Sequence, residues 1–405
     1  MEWQLILTLF GSFAVLLAIG VPVSFAIGLS SLATILMGLP LEPAIAVVAQ
    51  RMAAGLDNFA LLAIPFFILA GNIMNQGGIA LRLINFAKVL GGRLPGSLAH
   101  VNVMANMMFG SISGSAVASA AAVGGTMSPL QKKDGYDENF SAAVNITSCP
   151  SGLLIPPSNT LIVFSLVSGG TSIAALFLAG YIPGILMGLS IMVVAGIIAK
   201  RRGYPIAARP TLAMVWDTFL KAAPSLALIV VIMGGIIGGI FTATEASAIA
   251  VTTSIVLLLV GASMGMSWAM ANADIPYMIA DALLAISDNP MMILLIINII
   301  LLIVGIFMDM TPAVLIFTPI FLPIALDMGI DPVHFGIMMT FNLAIGICTP
   351  PVGSALFIGC SVANVAIDKV IKPLLPFYVA LIAALMAVTF IPELSLFLPK
   401  LVLGY

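Results

Sequence analysis

Residues 5–39 contain no Asp, Glu, Lys or Arg, and charge-free windows of eighteen or more residues recur along the rest of the chain. A helix of that length crosses a hydrocarbon core of about 30 Å. Lipid offers no hydrogen bonds to the backbone, so only helices and closed barrels can span it. A barrel would show segments of about ten residues with alternating polarity, and this sequence has none. The chain therefore reads as an all-α polytopic membrane protein. Of its 405 residues 61% are hydrophobic and 7% charged. A formal net charge of −2 leaves no basic surface for nucleic acid and no polybasic lipid switch. Cys149, Cys348 and Cys360 lack CxxC or CxxH spacing, which argues against a disulfide framework or a zinc site.

The uncharged run 5–39 is interrupted at Gly20-Val-Pro22, which predicts two crossings with a turn at the break. Leu5–Ala18 lacks a basic leader and is followed by more apolar sequence, so a retained helix is expected rather than a cleaved signal. A third crossing is expected over Asn58–Asn75, with Pro65 inside it. Ala80–Gly92 carries apolar residues at helical spacing, with Arg82 and Lys88 on the other face. That pattern predicts an interfacial helix. Ser172–Ala199 reads as a long crossing ending in Lys200-Arg201-Arg202, and a polar loop to Lys221 precedes a further crossing, Ala222–Ile240.

The second half restates the first at an offset of 194 residues. Pro129 falls on Pro323, Gly135 on Gly329, Asp137 on Asp331, Gly152 on Gly346, and Pro156-Pro157 on Pro350-Pro351. With a one-residue slip, Pro95 matches Pro290 and Pro183 matches Pro376. These are turn and break residues, which two unrelated apolar helices would not preferentially share. Pro95–Leu130 lies between Arg93 and Lys132-Lys133, so it predicts a re-entrant hairpin opening from the cytoplasm. Its copy Pro290–Ala325 is flanked by Asp288 and Asp327 and opens from outside. This map puts twelve of the fourteen Lys and Arg in the cytoplasm, all but Arg51 and Lys400, as an inverted-topology repeat requires. Both chain ends are then periplasmic. Inversion needs an odd number of crossings between Lys221 and Pro290, yet only two apolar spans are present there. A helix and a cytoplasmic loop are missing after Val251.

Each repeat pairs a small, polar hairpin tip with a helix broken at Pro-Pro. Paired interruptions of this kind mark ion and substrate sites near mid-membrane. Unwound carbonyls and hydroxyl and amide oxygens replace the hydration shell of Na⁺, and half-helix N-termini attract anions. The candidate substrate contacts are Ser113, Ser115, Ser158, Asn159, Thr311, Gly353 and Ser354. The candidate Na⁺ ligands are Ser111, Ser113, Gly114, Ser148, Gly152, Pro156, Asp309, Thr311, Asn342, Gly346, Thr349 and Pro350. At least two Na⁺ sites are expected. Asp309 is the acidic residue placed within a hairpin, and Ser158 occupies an N-cap position. Glu245, in FTATEASA, is expected to cap a helix together with Thr242. His100 and His334 are expected at opposite membrane interfaces.

A packing-only reading makes the small residues a tight helix face and the prolines simple kinks. It does not account for both features recurring in both halves. From another class comes an intramembrane serine protease built on Ser113-Gly114. It needs a histidine level with the serine, and His100 lies about 13 residues away, roughly 20 Å along a helix.

The runs GSISGSAVASAAAVG, KKDGYDENFSAAV and LLIPPSNTLIVFS, with GIFTATEA, GIDPVHFG and GICTPPVGSALF, resemble the large membrane subunit of tripartite ATP-independent periplasmic (TRAP) transporters over essentially the whole chain. The resemblance implies a Na⁺-driven importer of small organic acids in a bacterial inner membrane, working as an elevator. It implies two protein partners, a small four-helix membrane subunit and a periplasmic substrate-binding protein. It divides the chain into scaffold helices and arm at 1–94, a first hairpin and broken helix at 95–170, and a second scaffold and arm at 171–289. A second hairpin and broken helix at 290–366 and a C-terminal helix at 367–405 complete it. The family pattern has a further helix and loop after the TEA motif, where crossing parity finds residues missing. A carrier of the same architecture that couples Na⁺ or H⁺ without a binding protein is the alternative.

Overall fold

A computed structural model describes residues 2–56, 79–91, 94–206, 210–238, 289–350 and 352–404. All regular structure among these residues is helical. The chain begins with α1 (Glu2–Ala18) and α2 (Val23–Ile35), separated where expected: Gly20 adopts φ +85° and Pro22 opens the second helix. α3 (Leu41–Leu56) follows. α4 (Ile79–Gly91) buries Leu83, Ile84 and Ala87 and leaves Arg82 exposed as the sequence predicts, but Leu81 and Leu90 are exposed as well and Lys88 is half-buried. The expected crossing at 58–75, the Thr242–Glu245 cap and the shortfall after Val251 lie outside the described residues.

α5 (Ser97–Ser113) and α6 (Ala116–Lys133) form a hairpin joined only by Gly114 and Ser115. Gly114 ends α5 in the left-handed region (φ +60°), and the Ser115 hydroxyl accepts from Ala118 N at 3.2 Å to start α6. The next membrane element is broken into α7 (Glu138–Ser148), the single turn α8 (Ser151–Leu154) and α9 (Asn159–Val167). It bends by 49° at the Pro156-Pro157 break. α10 (Ile173–Arg202) and α11 (Leu212–Ile237) complete this half. The expected polar loop before Lys221 is instead helical from Leu212. Thr211 caps it by accepting from Met214 N, and Asp217 pairs with Lys221 one turn on, so its polar residues are satisfied within the helix.

The second half runs α12 (Pro290–Phe307), α13 (Met310–Asp327), α14 (Pro332–Gly346), α15 (Ser354–Ala363), α16 (Ile367–Phe390) and α17 (Glu393–Leu403). The single C-terminal helix expected over 367–405 is therefore two. Pro392, which lacks an N–H, begins the second. Four described helices are long and apolar enough to cross a membrane: α10, α12, α13 and α16. The broken α7–α9 element makes a fifth.

Residues matched at the offset of 194 do the same structural work. Tyr136 N donates to Gln131 O, and Ile330 N to Ala325 O, both at 2.9 Å. Between them Gly135 (φ +78°) and Gly329 (φ +75°) turn each chain out of its hairpin. Asp137 then caps α7 through Phe140 N, and Asp331 caps α14 through Val333 N, each at 2.8 Å. A glycine of each hairpin's first arm meets a glycine of the broken element, Gly110 on Gly152 and Gly305 on Gly346. The halves also interlock, with α6 packed on α15 and α9 on α13.

The cytoplasmic-side base predicted by charge is a compact cluster. Tyr136 and Tyr204 stack at 4.3 Å, and Arg202 reaches Asp137 at 3.5 Å and lies over the Phe140 ring. The Tyr136 hydroxyl accepts from Leu98 N at 3.3 Å, and burial pushes its phenol above the usual tyrosine range.

Candidate functional site

The first hairpin tip rests on the first helix break. A Cβ on Gly114 would lie 2.6 Å from Asn159 Nδ2, so only glycine lets the tip backbone approach the amide. Ser113 Oγ turns to the Ser115 carbonyl at 3.4 Å. Ser158 caps α9 as expected, accepting from Leu161 N at 3.4 Å, and is fully buried. Asn159 is also buried, and its Oδ1 has no hydrogen-bond partner. That orphan acceptor sits at the N-terminus of α9, beside the tip. Ser111 bonds back to Met108 O at 2.9 Å within α5. Gly152 is occupied by its contact with Gly110, and Pro156 forms a cis peptide with Pro157 where the chain leaves α8.

Residues that the sequence reading passed over hold this unit together. Asn106 Nδ2 donates toward Asn145 Oδ1 at 3.0 Å, Ser148 Oγ at 2.7 Å and Asn102 Oδ1 at 2.9 Å. Its Oδ1 accepts from Ser119 Oγ at 2.7 Å. Asn145 Nδ2 donates to the Ala120 carbonyl at 3.0 Å. One asparagine on the first arm therefore ties the second arm and α7 together. Ser148, a candidate Na⁺ ligand, is a member of this clasp. The available signal was two asparagines four residues apart, on one face of an otherwise apolar segment.

The second half repeats the clasp with fewer groups. Asn342 Nδ2 donates to Asn298 O and to Asn298 Oδ1, both at 2.8 Å, while Asn342 Oδ1 is buried without a partner. Asn298, also missed in the sequence, donates onward to Thr389 Oγ1 at 3.2 Å. Gly346 meets Gly305, and Thr349 Oγ1 donates to Ile345 O at 2.9 Å. Gly353 is buried where the Ile347 and Thr349 carbonyl oxygens converge, 2.6 and 2.8 Å from where a Cβ would stand. Ser354 Oγ is a third buried polar atom without a partner. At the tip, Asp309 is exposed and makes no capping bond to α13, and Thr311 is half-buried. Pro350 is half-buried, while Pro351 lies outside the described residues.

Helix directions bring the two halves of the site together. Lys132, ending α6, pairs with Glu138, starting α7, and Asn145 near the end of α7 reaches back to Ala120, so α6 and α7 are antiparallel. Ile146 lies against Gly359 in mid-α15, whereas Ser141 shares a cavity with residues 362–364, so α15 is antiparallel to α7 as well. α6 and α15 therefore run parallel. Their first residues, beside the tip serine Ser115 and the break serine Ser354, lie at one end of the pair. Cys348 Sγ donates to Ile146 O at 3.0 Å, joining the two broken elements.

Asn159 Oδ1, Asn342 Oδ1 and Ser354 Oγ are neutral oxygens of a kind able to ligate an alkali cation. Among the described residues no group of three or more His, Cys, Asp or Glu could hold a transition metal. Both histidines are buried in protein. His334 bonds Ser395 Oγ at 3.0 Å and Thr389 O at 3.2 Å, and His100 bonds Pro95 O at 3.1 Å. His100 and Ser113 stand at opposite ends of α5, so they form no catalytic pair.

The model of the family described as "Tripartite ATP-independent periplasmic transporter, DctM component" matches residues 10–259 and 251–394. The chain is 61% identical to "Uncharacterized protein YgiK" of Salmonella typhimurium, with 98% of this chain and 97% of that one covered. That alignment runs over 423 positions, more than this chain has residues, so the relative carries residues that this chain lacks. It is 39% identical to the sialic acid TRAP transporter large permease protein SiaM of Vibrio cholerae, over 98% of this chain and 99% of that one. It is 36% identical to the 2,3-diketo-L-gulonate TRAP transporter large permease protein YiaN of Escherichia coli, over 93% and 95%. The family is one of transport permeases, not enzymes. With its apolar helices and these matches over nearly its whole length, the chain belongs to the DctM family of TRAP transporter large membrane subunits and is a multi-pass membrane protein.

Proposed function

We propose that this subunit imports a small organic anion by Na⁺ symport across a bacterial inner membrane. Substrate is delivered by a periplasmic binding protein, and a small four-helix membrane subunit completes the transporter. The observation that carries the sodium reading is the set of buried, unpartnered oxygens of Asn159 and Ser354 at the two helix breaks and of Asn342 one turn before the end of α14. A buried acceptor without a partner costs about 1–3 kcal/mol, which a dehydrated cation would offset. Relatives named for sialic acid, C4-dicarboxylate and 2,3-diketo-L-gulonate carry anions of different shape, which supports the class and leaves the individual acid to the binding protein. The isethionate permease DctMQ is matched over only 65% of its length, which supports a fused small subunit in that relative.

In this reading the two hairpins are re-entrant from opposite sides, the halves are inverted repeats and both termini are periplasmic. The hairpin and broken-helix pairs move together as an elevator against α1–α4, α10 and α11. The glycine contacts and asparagine clasps support it, because they make each hairpin and its broken helix one body. The substrate carboxylate sits between Ser113, Ser115, Ser158 and Asn159 of one half and Thr311, Gly353 and Ser354 of the other, with no Lys or Arg beside it. Uptake by proteoliposomes holding both membrane subunits, with and without the binding protein and a Na⁺ gradient, tests the proposal. Uptake that needs neither would replace it with a binding-protein-independent carrier.

A further inference from the structure

Away from the helix breaks, the last turns of α6, the start of α7 and the end of α15 enclose a half-open cavity of about 250 Å³. Its polar lining is Ser128, Lys132, Glu138, Ser141 and Asn364. Ser141 borders this cavity and is only 4% exposed, and its hydroxyl, buried just beneath the cavity wall, has no hydrogen-bond partner. Pro129 has no N–H for the carbonyl of Gly125, which also lines the cavity, so a backbone acceptor is left open. Lys132 reaches Glu138 at 2.6 Å, but their side chains are 71% and 42% exposed. An ion pair this wet is weak, and either partner exchanges readily for an incoming charge.

The cavity has a defined relation to the transport site. α6 and α15 run parallel from Ser115 and Ser354 to Lys132 and Asn364, a path of about 25 Å along α6. The outward row of α6 is Val117, Ala121, Gly125 and Pro129, all exposed and mostly small, so it leaves a shallow uncharged track. The cavity closes the basic end of that track, beside Lys132 and Lys133. We infer that this cavity is a second, transient organic-anion subsite on the route from the transport site to the cytoplasm. Lys132 exchanges Glu138 for the substrate carboxylate, Ser128 and Ser141 donate to it, and the Gly125 carbonyl accepts from a substrate hydroxyl. The inference rests on the anion-import reading above and differs from it in needing no sodium, since all the groups involved belong to the protein.

Equilibrium dialysis of the purified full chain with radiolabelled succinate, in choline buffer and in sodium buffer, separates the two sites. A succinate-binding component that persists in choline is expected. Lys132→Gln should weaken it about threefold and Ser141→Val about tenfold, whereas Glu138→Gln, which releases Lys132, should tighten it. Opposite signs from neighbouring positions cannot come from misfolding. Absence of the sodium-independent component, or its indifference to Lys132→Gln, would overturn the subsite while leaving the sodium site standing. Displacement of succinate by phosphoethanolamine but not by sialic acid would also overturn it, making the cavity a lipid-headgroup seat. Loss of only the sodium-dependent component would instead sink the symport reading and keep the subsite.

Discussion

Gly110 and Gly152 cross so closely that a Cβ on Gly110 would lie 2.9 Å from the Gly152 Cα. Gly305 and Gly346 repeat the relationship in the other half, with the corresponding distance 3.1 Å. In the reverse direction a Cβ on Gly152 would lie 2.4 Å from the Gly110 Cα and one on Gly346 2.5 Å from the Gly305 Cα, too close for a side chain without a backbone shift, so each hairpin is keyed to its own broken helix.

Gly152→Ala and Gly346→Ala should therefore each cost about 1–3 kcal/mol by overpacking. The expected readout is a lower melting temperature in detergent, with uptake lost in parallel. Gly11, which has open space where its Cβ would stand, supplies the control. If Gly152→Ala melted no earlier than Gly11→Ala, the close crossing would not be holding the hairpin.

Asn106→Leu removes the donor shared by Asn145 and Ser148 and strands two buried acceptors. A loss of about 2 kcal/mol or more is expected. Asn106→Asp tests geometry against donation, because it keeps the shape and loses the N–H groups. Equal stability of wild type and Asn106→Asp in thermal melts would refute the clasp.

The sodium assignment makes a kinetic demand. Asn159→Ala, Asn342→Ala and Ser354→Ala each delete a buried unpartnered oxygen, so the Na⁺ concentration for half-maximal uptake should rise about tenfold. Ser113→Ala should do the same more weakly. Uptake curves that overlay wild type for all four would place the coupling ion elsewhere.

Topology can be read with an impermeant thiol reagent in intact cells, because Cys149, Cys348 and Cys360 are all buried and give little background. A cysteine replacing Lys133 should be protected until the cells are opened, and one replacing Asp327 should label from outside. Labelling of both from the same side would rule out inverted hairpins.

Much of the fold was legible because it is written in local terms. Gly20 at positive φ and Pro22 together separate α1 from α2, Asp137 and Asp331 cap the helices that follow them, and Gly135 and Gly329 turn the chain left-handed. Ser158 as an N-cap followed from its place after two prolines. The helix begun at Leu212 was missed because Asp217 and Lys221 look like loop residues singly, and only their spacing of four makes them a helical pair. The site was half legible. Its oxygen-rich tips and breaks stood out as polar residues in apolar sequence, but the role of each did not. Gly152, Gly346 and Ser148, named as candidate ion ligands, also serve packing and the asparagine clasp, which only the tertiary contacts reveal.

The sequence alone determined an all-helical membrane chain, its breaks and the correspondence of its halves. Hydropathy over a helix length and the φ preferences of glycine and proline act without reference to distant residues. Tertiary structure decided which polar atoms are spent and which are left open. It decided that Asn106 and Asn298 hold the hairpins, that Asn159, Asn342 and Ser354 keep unpartnered oxygens, and that Ser115 and Ser354 lie at one end of a parallel helix pair. Those outcomes depend on the rotation and direction of helices packed across nearly two hundred residues of chain, and no local pattern encodes that.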